Sequence, residues 1–260
     1  MANSRVRGGG VTVVFTVVLG FVLGGAASRA DEAAFLAGET KSCAGCALEK
    51  VRLKGRDLTG ADLSGAKLTG AVFHRARLAG TNFAGANLAG ANLNKTDLKN
   101  ASFANASVPG GMFYESDLSA ANLAGANLAD AKMGKARLVR TIFDGARLTE
   151  AILTGARLDD ASLKGADLQR ANLVGVTLRR ASLAGANLED SGLLDAVMRE
   201  ADLKGAKLAG ADLFGADLSG ADLSGADLSE SRLSRAILTD AKLDGANFKG
   251  ALMPDGSTHE

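Results

Sequence analysis

The chain has 260 residues and is nearly balanced in charge, with 30 Lys plus Arg against 29 Asp plus Glu. Aromatic residues make up only 4%, with no Trp and one Tyr, while Gly numbers 33. So few large rigid side chains exclude a deep aromatic-lined pocket, and the balanced charge gives neither the basic footprint of a nucleic-acid binder nor the acidic field of a nucleic-acid mimic.

The first segment reads as an export signal. Arg5 and Arg7 form a positive flank, Val11 to Leu23 is an apolar or small run, and Ser28-Arg29-Ala30 supplies small residues ahead of a cut placed after Ala30. The run falls short of the ~20 residues that span hydrocarbon. Residues 1–30 are therefore assigned as a signal peptide, the alternative being a retained anchor, and no membrane span is expected after cleavage. Removing Arg5, Arg7 and Arg29 takes the formal net charge from +1 to −2. A periplasmic or secreted location follows.

Residues 31–47 are expected to cap what comes next. Acids precede an Ala-rich apolar turn, so a short helix over Asp31 to Leu36 is expected, with Phe35 and Leu36 as its buried face. Cys43 and Cys46 are the two cysteines. In an exported chain a local disulfide is the first reading, and two buried thiols the alternative. Ala47 stands where a haem-attachment motif needs histidine, and a zinc site lacks two ligands because His74 and His259 lie far along the chain. No cofactor or metal is expected.

From Leu48 the chain repeats with a period of five. Every fifth residue is apolar, through Leu53, Leu58, Phe73, Phe83, Val108, Phe113, Met133, Phe143, Met198 and Phe248 to Met253. Two places before each stands a small residue, as at Ala61, Ala66 and Ala121, with Thr81, Thr96, Ser116, Ser191 and Val176 as variants. Gly recurs two places after it, where a type II turn needs positive φ, and Pro109-Gly110 suits the same turn. Five matches neither the 3.6 of a helix nor the 2 of a strand, so the chain must bend at each repeat to keep its leucines on one side.

The consensus is A(D/N)LxG, nearly pure at Ala211 to Gly215 and Ala221 to Gly225, and over about 200 residues the chain resembles the pentapeptide-repeat family. The resemblance implies an all-β, right-handed, quadrilateral parallel β-helix over residues 48–253, four repeats to a coil, with the central Leu or Phe and the preceding small residue pointing inward. At ~4.8 Å per coil, about ten coils make a rod of about 50 Å. Residues 254–260 break the pattern and are expected to form a disordered tail.

Four repeats to a coil would stack residues twenty apart. Val174, Leu194 and Phe214 then form an apolar column, with Met112, Tyr114 and Ile152 on the same side, a candidate contact strip for a protein partner or a second copy in a homodimer. Arg137, Arg157, Arg179 and Arg199 leave another side basic, a candidate for an anionic partner, the alternative being a solvated face. Arg140, Asp160, Arg180 and Glu200 alternate in sign up one corner.

Two histidines and no assembled triad or metal cluster give no enzyme, and Asp202 and Asp222 read as solvated carboxylates on a convex rod. The sequence therefore reads as a non-enzymatic exported scaffold or protein–protein interaction module with an unknown partner and no nucleic-acid ligand. The resemblance also implies an alternative, a DNA-mimicking gyrase-protecting protein. Against it stand the export signal and the mature charge of −2.

Overall fold

The computed structural model describes residues 28–260. Residues 1–27, which carry most of the expected export signal, lie outside the described residues.

From Ser42 onward each repeat bends the chain. The central residue accepts a hydrogen bond from the amide three places on, as Leu58 O does from Ala61 N (2.9 Å), and the residue between them at the third turn position has positive φ, as at Gly60 (+68°). The same conformation is imposed where that residue is not Gly, for example at Lys50, Arg75 and Ala120. Four bends bring the chain back over itself, so parallel bridges join residues twenty apart in an unbroken series from Ser42↔Asp62 to Arg232↔Leu252. Each side is too short for an extended strand, yet the amides still pair upward and downward, as in Leu63 N to Asn82 O (2.8 Å) and Asn82 N to Ala61 O (2.9 Å). Most backbone donors of the buried sides are thereby satisfied.

The four sides can be numbered by their inward residues. Face 1 carries Leu63, Phe83 and Phe103, face 2 Leu68 and Leu88, face 3 Phe73, Leu93 and Phe113, and face 4 Leu78 and Leu98, all fully buried. From Ala61 to Ala236 the small residue of each repeat is buried beside them, while at the ends Val51, Arg56, Ala241 and Ala246 are half-buried at the same position. Where it is Ser or Thr the hydroxyl finds a carbonyl: Thr81 Oγ1 donates to Leu58 O (2.8 Å) and Ser191 Oγ to Leu188 O (2.7 Å). A buried hydroxyl without such a partner would be costly, and these substitutions are tolerated for that reason.

The Asp or Asn of the consensus has a structural use. Its side-chain oxygen accepts the outward-facing amide two residues on, as Asp62 Oδ1 does from Ser64 N and Asn82 Oδ1 from Ala84 N, each 3.1 Å. This amide belongs to the turn and has no rung partner, so Asp and Asn are favoured there by local bonding rather than by charge.

Helix α1, Arg29–Ala37, lies against the first coil. It starts two residues earlier than the sequence suggests because Ser28 caps it: Asp31 N donates to Ser28 Oγ (3.3 Å) while Ser28 N donates to Asp31 Oδ2 (2.8 Å). Phe35 is fully buried, but Leu36 is 45% exposed, which corrects the expectation that both would be buried. Adjacent helical residues point about 100° apart, and one narrow contact can take only one of them. Ala47 N donates to Glu32 Oε1 (2.9 Å), and the Arg56 guanidinium donates to the carbonyls of Leu36 (2.9 Å) and Phe35 (3.3 Å). Cys43 and Cys46, both buried, are joined by a disulfide in the same coil.

At the other end the structure departs from the expected frayed tail. Residues 254–260 turn back along the last side: Leu252 and Thr258 form an antiparallel bridge, Gly250 N donates to His259 O (2.7 Å) and Met253 N to Ser257 O (2.8 Å). The turn starts at Pro254, and the free edge of the last coil supplies the partners. Leu238 and Leu243 of that coil remain only half-buried.

Candidate interaction surface

Two outward columns run up each face, one on either side of the inward residue. On face 3 the lower columns hold Arg52 and Lys54, then Val72 and His74, then Asn92 and Asn94. Above them come Met112 and Tyr114, Lys132 and Gly134, Ile152 and Thr154, Asn172 and Val174, Gly192 and Leu194, and Asp212 and Phe214. No carboxylate occupies either column between Arg52 and Leu194. Face 4 mixes acids and bases along its length, as at Asp57, Arg77, Asp97 and Lys99, whereas the columns of face 2 lack acids from Lys67 to Thr149 and those of face 1 from Asn82 to Ile142.

The ladder brings all six residues of the candidate strip to face 3, in two groups. Val174, Leu194 and Phe214 lie on consecutive coils, joined by Gly175 N to Leu194 O and Asp195 N to Phe214 O, each 2.9 Å. Met112 and Tyr114 flank Phe113 lower down, and Ile152 stands between the groups beside Thr154, with Lys132 and Asn172 interrupting the column. Tyr114 is 38% and Ile152 41% exposed. Phe214 is less open, because the Arg232 guanidinium lies 4.4 Å and that of Arg235 5.4 Å from its ring centroid. Lys135 lies 5.8 Å from the Tyr114 ring. Each group thus keeps an apolar body beside a cationic edge. Ile142 on face 1 and Ile237 on face 4 are as exposed as Ile152, and both stand where the consensus has Asp or Asn; a scan of that position alone would have found them.

The candidate basic patch lies on face 4, and most of it is paired within the chain. Asp159, a carboxylate that column reasoning passed over, sits between Arg157 (3.8 Å) and Arg179 (3.4 Å). Thr177 Oγ1 also donates to it (2.9 Å). Arg199 is bonded to Asp217, leaving Arg137 without a carboxylate within 4.0 Å among the described residues. Two carboxylates against four arginines halve the local excess of positive charge. In the alternating corner, Arg180 grips Asp160 with both Nε (2.8 Å) and Nη2 (2.9 Å), while Arg140 and Glu200 form no ion pair among the described residues.

Asp202 and Asp222 are ladder neighbours, but Asp222 is neutralised by Lys204 (3.2 Å) and Lys242 (3.6 Å). Among the described residues no group of His, Cys, Asp and Glu has the arrangement of a metal site, and no helix is long and apolar enough to cross a membrane.

The chain belongs to the Pentapeptide repeats family, whose pattern matches eight copies running together over residues 46–253. The family's right-handed β-helix solenoid is the architecture that the twenty-residue ladder builds. Among solved structures the chain is similar to HetL, a pentapeptide repeat protein involved in heterocyst differentiation regulation from the cyanobacterium Nostoc sp. strain PCC 7120, at 35% identity over 88% of this chain and 97% of that one, TM-score 0.48. It is also similar to QnrB1, a plasmid-mediated fluoroquinolone resistance protein, at 22% identity over 62% of this chain and 89% of that one, TM-score 0.46. A third is a pentapeptide repeat protein of the Arabidopsis thaliana thylakoid lumen, at 30% identity over 38% of this chain and 66% of that one, TM-score 0.22. No curated protein matches the chain. Proteins of this family are in general structural or interaction modules rather than enzymes.

Proposed function

We propose that this protein is an exported, non-enzymatic scaffold of about ten coils, capped by α1, that holds a protein partner against face 3. The observation that carries the reading is the apolar column Val174, Leu194 and Phe214 on three consecutive coils of a face whose columns lack acids over most of their length. The one carboxylate beside this column, Asp212, is already paired with Arg232 (3.4 Å), so a partner laid along the column gains apolar area without leaving a buried carboxylate unpaired. The disulfide supports an oxidising compartment, in keeping with a signal peptide cut after Ala30.

The test is a crosslinking pull-down from the periplasm with wild type and with Leu194→Asp plus Phe214→Asp. Loss of capture by a folded double variant is the expected result, and capture of the same proteins by both overturns the contact. A second copy of the chain in the crosslink would identify the partner as itself. Export is tested by the mass of the purified protein, which should begin at Asp31. A near-neutral rod with internally paired charges does not imitate a DNA duplex, so gyrase supercoiling should proceed unchanged in its presence.

A further inference from the structure

At the α1 end of face 3, well below the apolar column, Arg52, Lys54, Val72, His74 and Asn92 line a shallow cleft open to solvent. Arg52 and Lys54 flank Leu53, and one coil higher Val72 and His74 flank Phe73, with Arg52 and Val72 paired by a parallel bridge. Two cationic side chains thus stand side by side on one coil, with Val72 above Arg52 and His74 above Lys54. At the two corners beside them stand Lys50 and Arg75.

Elsewhere on the rod cations are often taken by a carboxylate one coil away, as in Arg77 with Asp57, Arg180 with Asp160 and Arg232 with Asp212. Here they are not. Among the described residues none of Lys50, Arg52, Lys54 and Arg75 has a carboxylate within 4.0 Å, and the side chains of Arg52, Lys54 and His74 make no hydrogen bond to the chain. The nearest acid in sequence, Glu49, belongs to face 2. Asn92 Oδ1 is already occupied by Asn94 N (3.1 Å), so what Asn92 offers the cleft is its NH₂. The donors available are therefore a guanidinium, an ammonium, an imidazole and an amide. Such a set matches an acceptor-only ligand with several oxygens, and charge-assisted bonds of this kind are the strong ones.

We propose that this cleft binds a phosphate group, carried by a small solute or by a lipid headgroup. Arg52 grips two oxygens, Lys54 and His74 close on the others, and Val72 lowers the local dielectric against which these bonds form. The site is separate from the Val174 to Phe214 column, so Leu194→Asp plus Phe214→Asp should leave it unaffected.

The chain has two histidines, and His259 at the far end serves as the internal control. Inorganic phosphate titrated into the full-length exported protein should move the ring resonances of His74 saturably and leave those of His259 in place. Arg52→Gln plus Lys54→Gln, both at exposed positions, should weaken that response about tenfold or more with an unchanged thermal midpoint. Lys54→Gln alone is the milder variant should the pair impair folding. In a second arm, cosedimentation with phosphatidylglycerol vesicles is compared with phosphatidylcholine vesicles.

Free phosphate binding without vesicle binding supports the site with a soluble ligand. Variant-sensitive binding to phosphatidylglycerol alone supports it with a headgroup. The proposal fails if chloride at equal ionic strength shifts His74 as phosphate does while neither vesicle is bound, or if the folded variants bind like wild type.

Discussion

Phe83 and Phe103, twenty residues apart, lie ring on ring with centroids 4.8 Å apart and planes 17° from parallel. Phe73 meets the first edge-on at 5.8 Å and Phe113 the second at 6.0 Å, so four aromatic rings fill the shaft where most rungs carry leucine. Truncating Phe103 to Ala should therefore open a hole that no neighbour can fill, at a cost of about 3–5 kcal/mol. Denaturant unfolding checks this, and Phe103→Leu should lose much less.

Ala120 has φ of +58° at a corner position where about half of the repeats carry Gly. For an L-residue this backbone costs about 1 kcal/mol, partly offset because Ala restrains the unfolded chain more than Gly does. Ala120→Gly should accordingly stabilise the rod by up to about 1 kcal/mol, the reverse of its effect in a helix. Gly65→Ala is the complementary test: an added Cβ there meets nothing within 4 Å, so any destabilisation reports the backbone alone. Equal thermal midpoints for all three proteins would contradict the account.

Acid should weaken the turns. The Ser224 hydroxyl holds the Asp222 carboxyl down to about 2, the Ser229 amide lowers Asp227, and the Ser257 hydroxyl lowers Asp255. A carboxyl depressed in the folded state contributes fully above its unfolded value of about 3.9, and that contribution disappears as pH falls toward the folded value. The thermal midpoint should be level from about pH 7 to 5 and decline below about pH 4. Asp222→Asn, which keeps an acceptor for the Ser224 amide, should flatten part of that decline.

Loss of the Cys43–Cys46 disulfide, by reduction or by replacing both residues with Ser, should cost about 2 kcal/mol, because the loop it closes is so short. The loss should appear first in α1, whose Glu32 and Arg56 contacts reach the same coil. Hydrogen exchange at Glu39 N, bonded to Ala34 O, against Leu123 N in mid-rod reads this directly.

Register was legible because it depends only on which residues are apolar or small. The inward leucines, Ala61, Thr81 and the positive φ at glycine positions all follow from the period of five. The surface was legible as columns and not as contacts. Sequence puts Arg157 and Arg179 on one side, but their convergence on Asp159 depends on side-chain rotamers, as does the folding of Arg232 over Phe214. The tail was misread because its order comes from an open edge on the last coil, a feature no local pattern encodes.

The twenty-residue ladder also makes the molecule a ruler. The distance from the Arg52 cleft to Phe214 is set by counting storeys, each about 4.8 Å high. Inserting twenty residues would lengthen it by one storey and leave both ends facing the same way. Inserting five would swing everything beyond the insertion through a quarter-turn, so that the two ends looked in perpendicular directions.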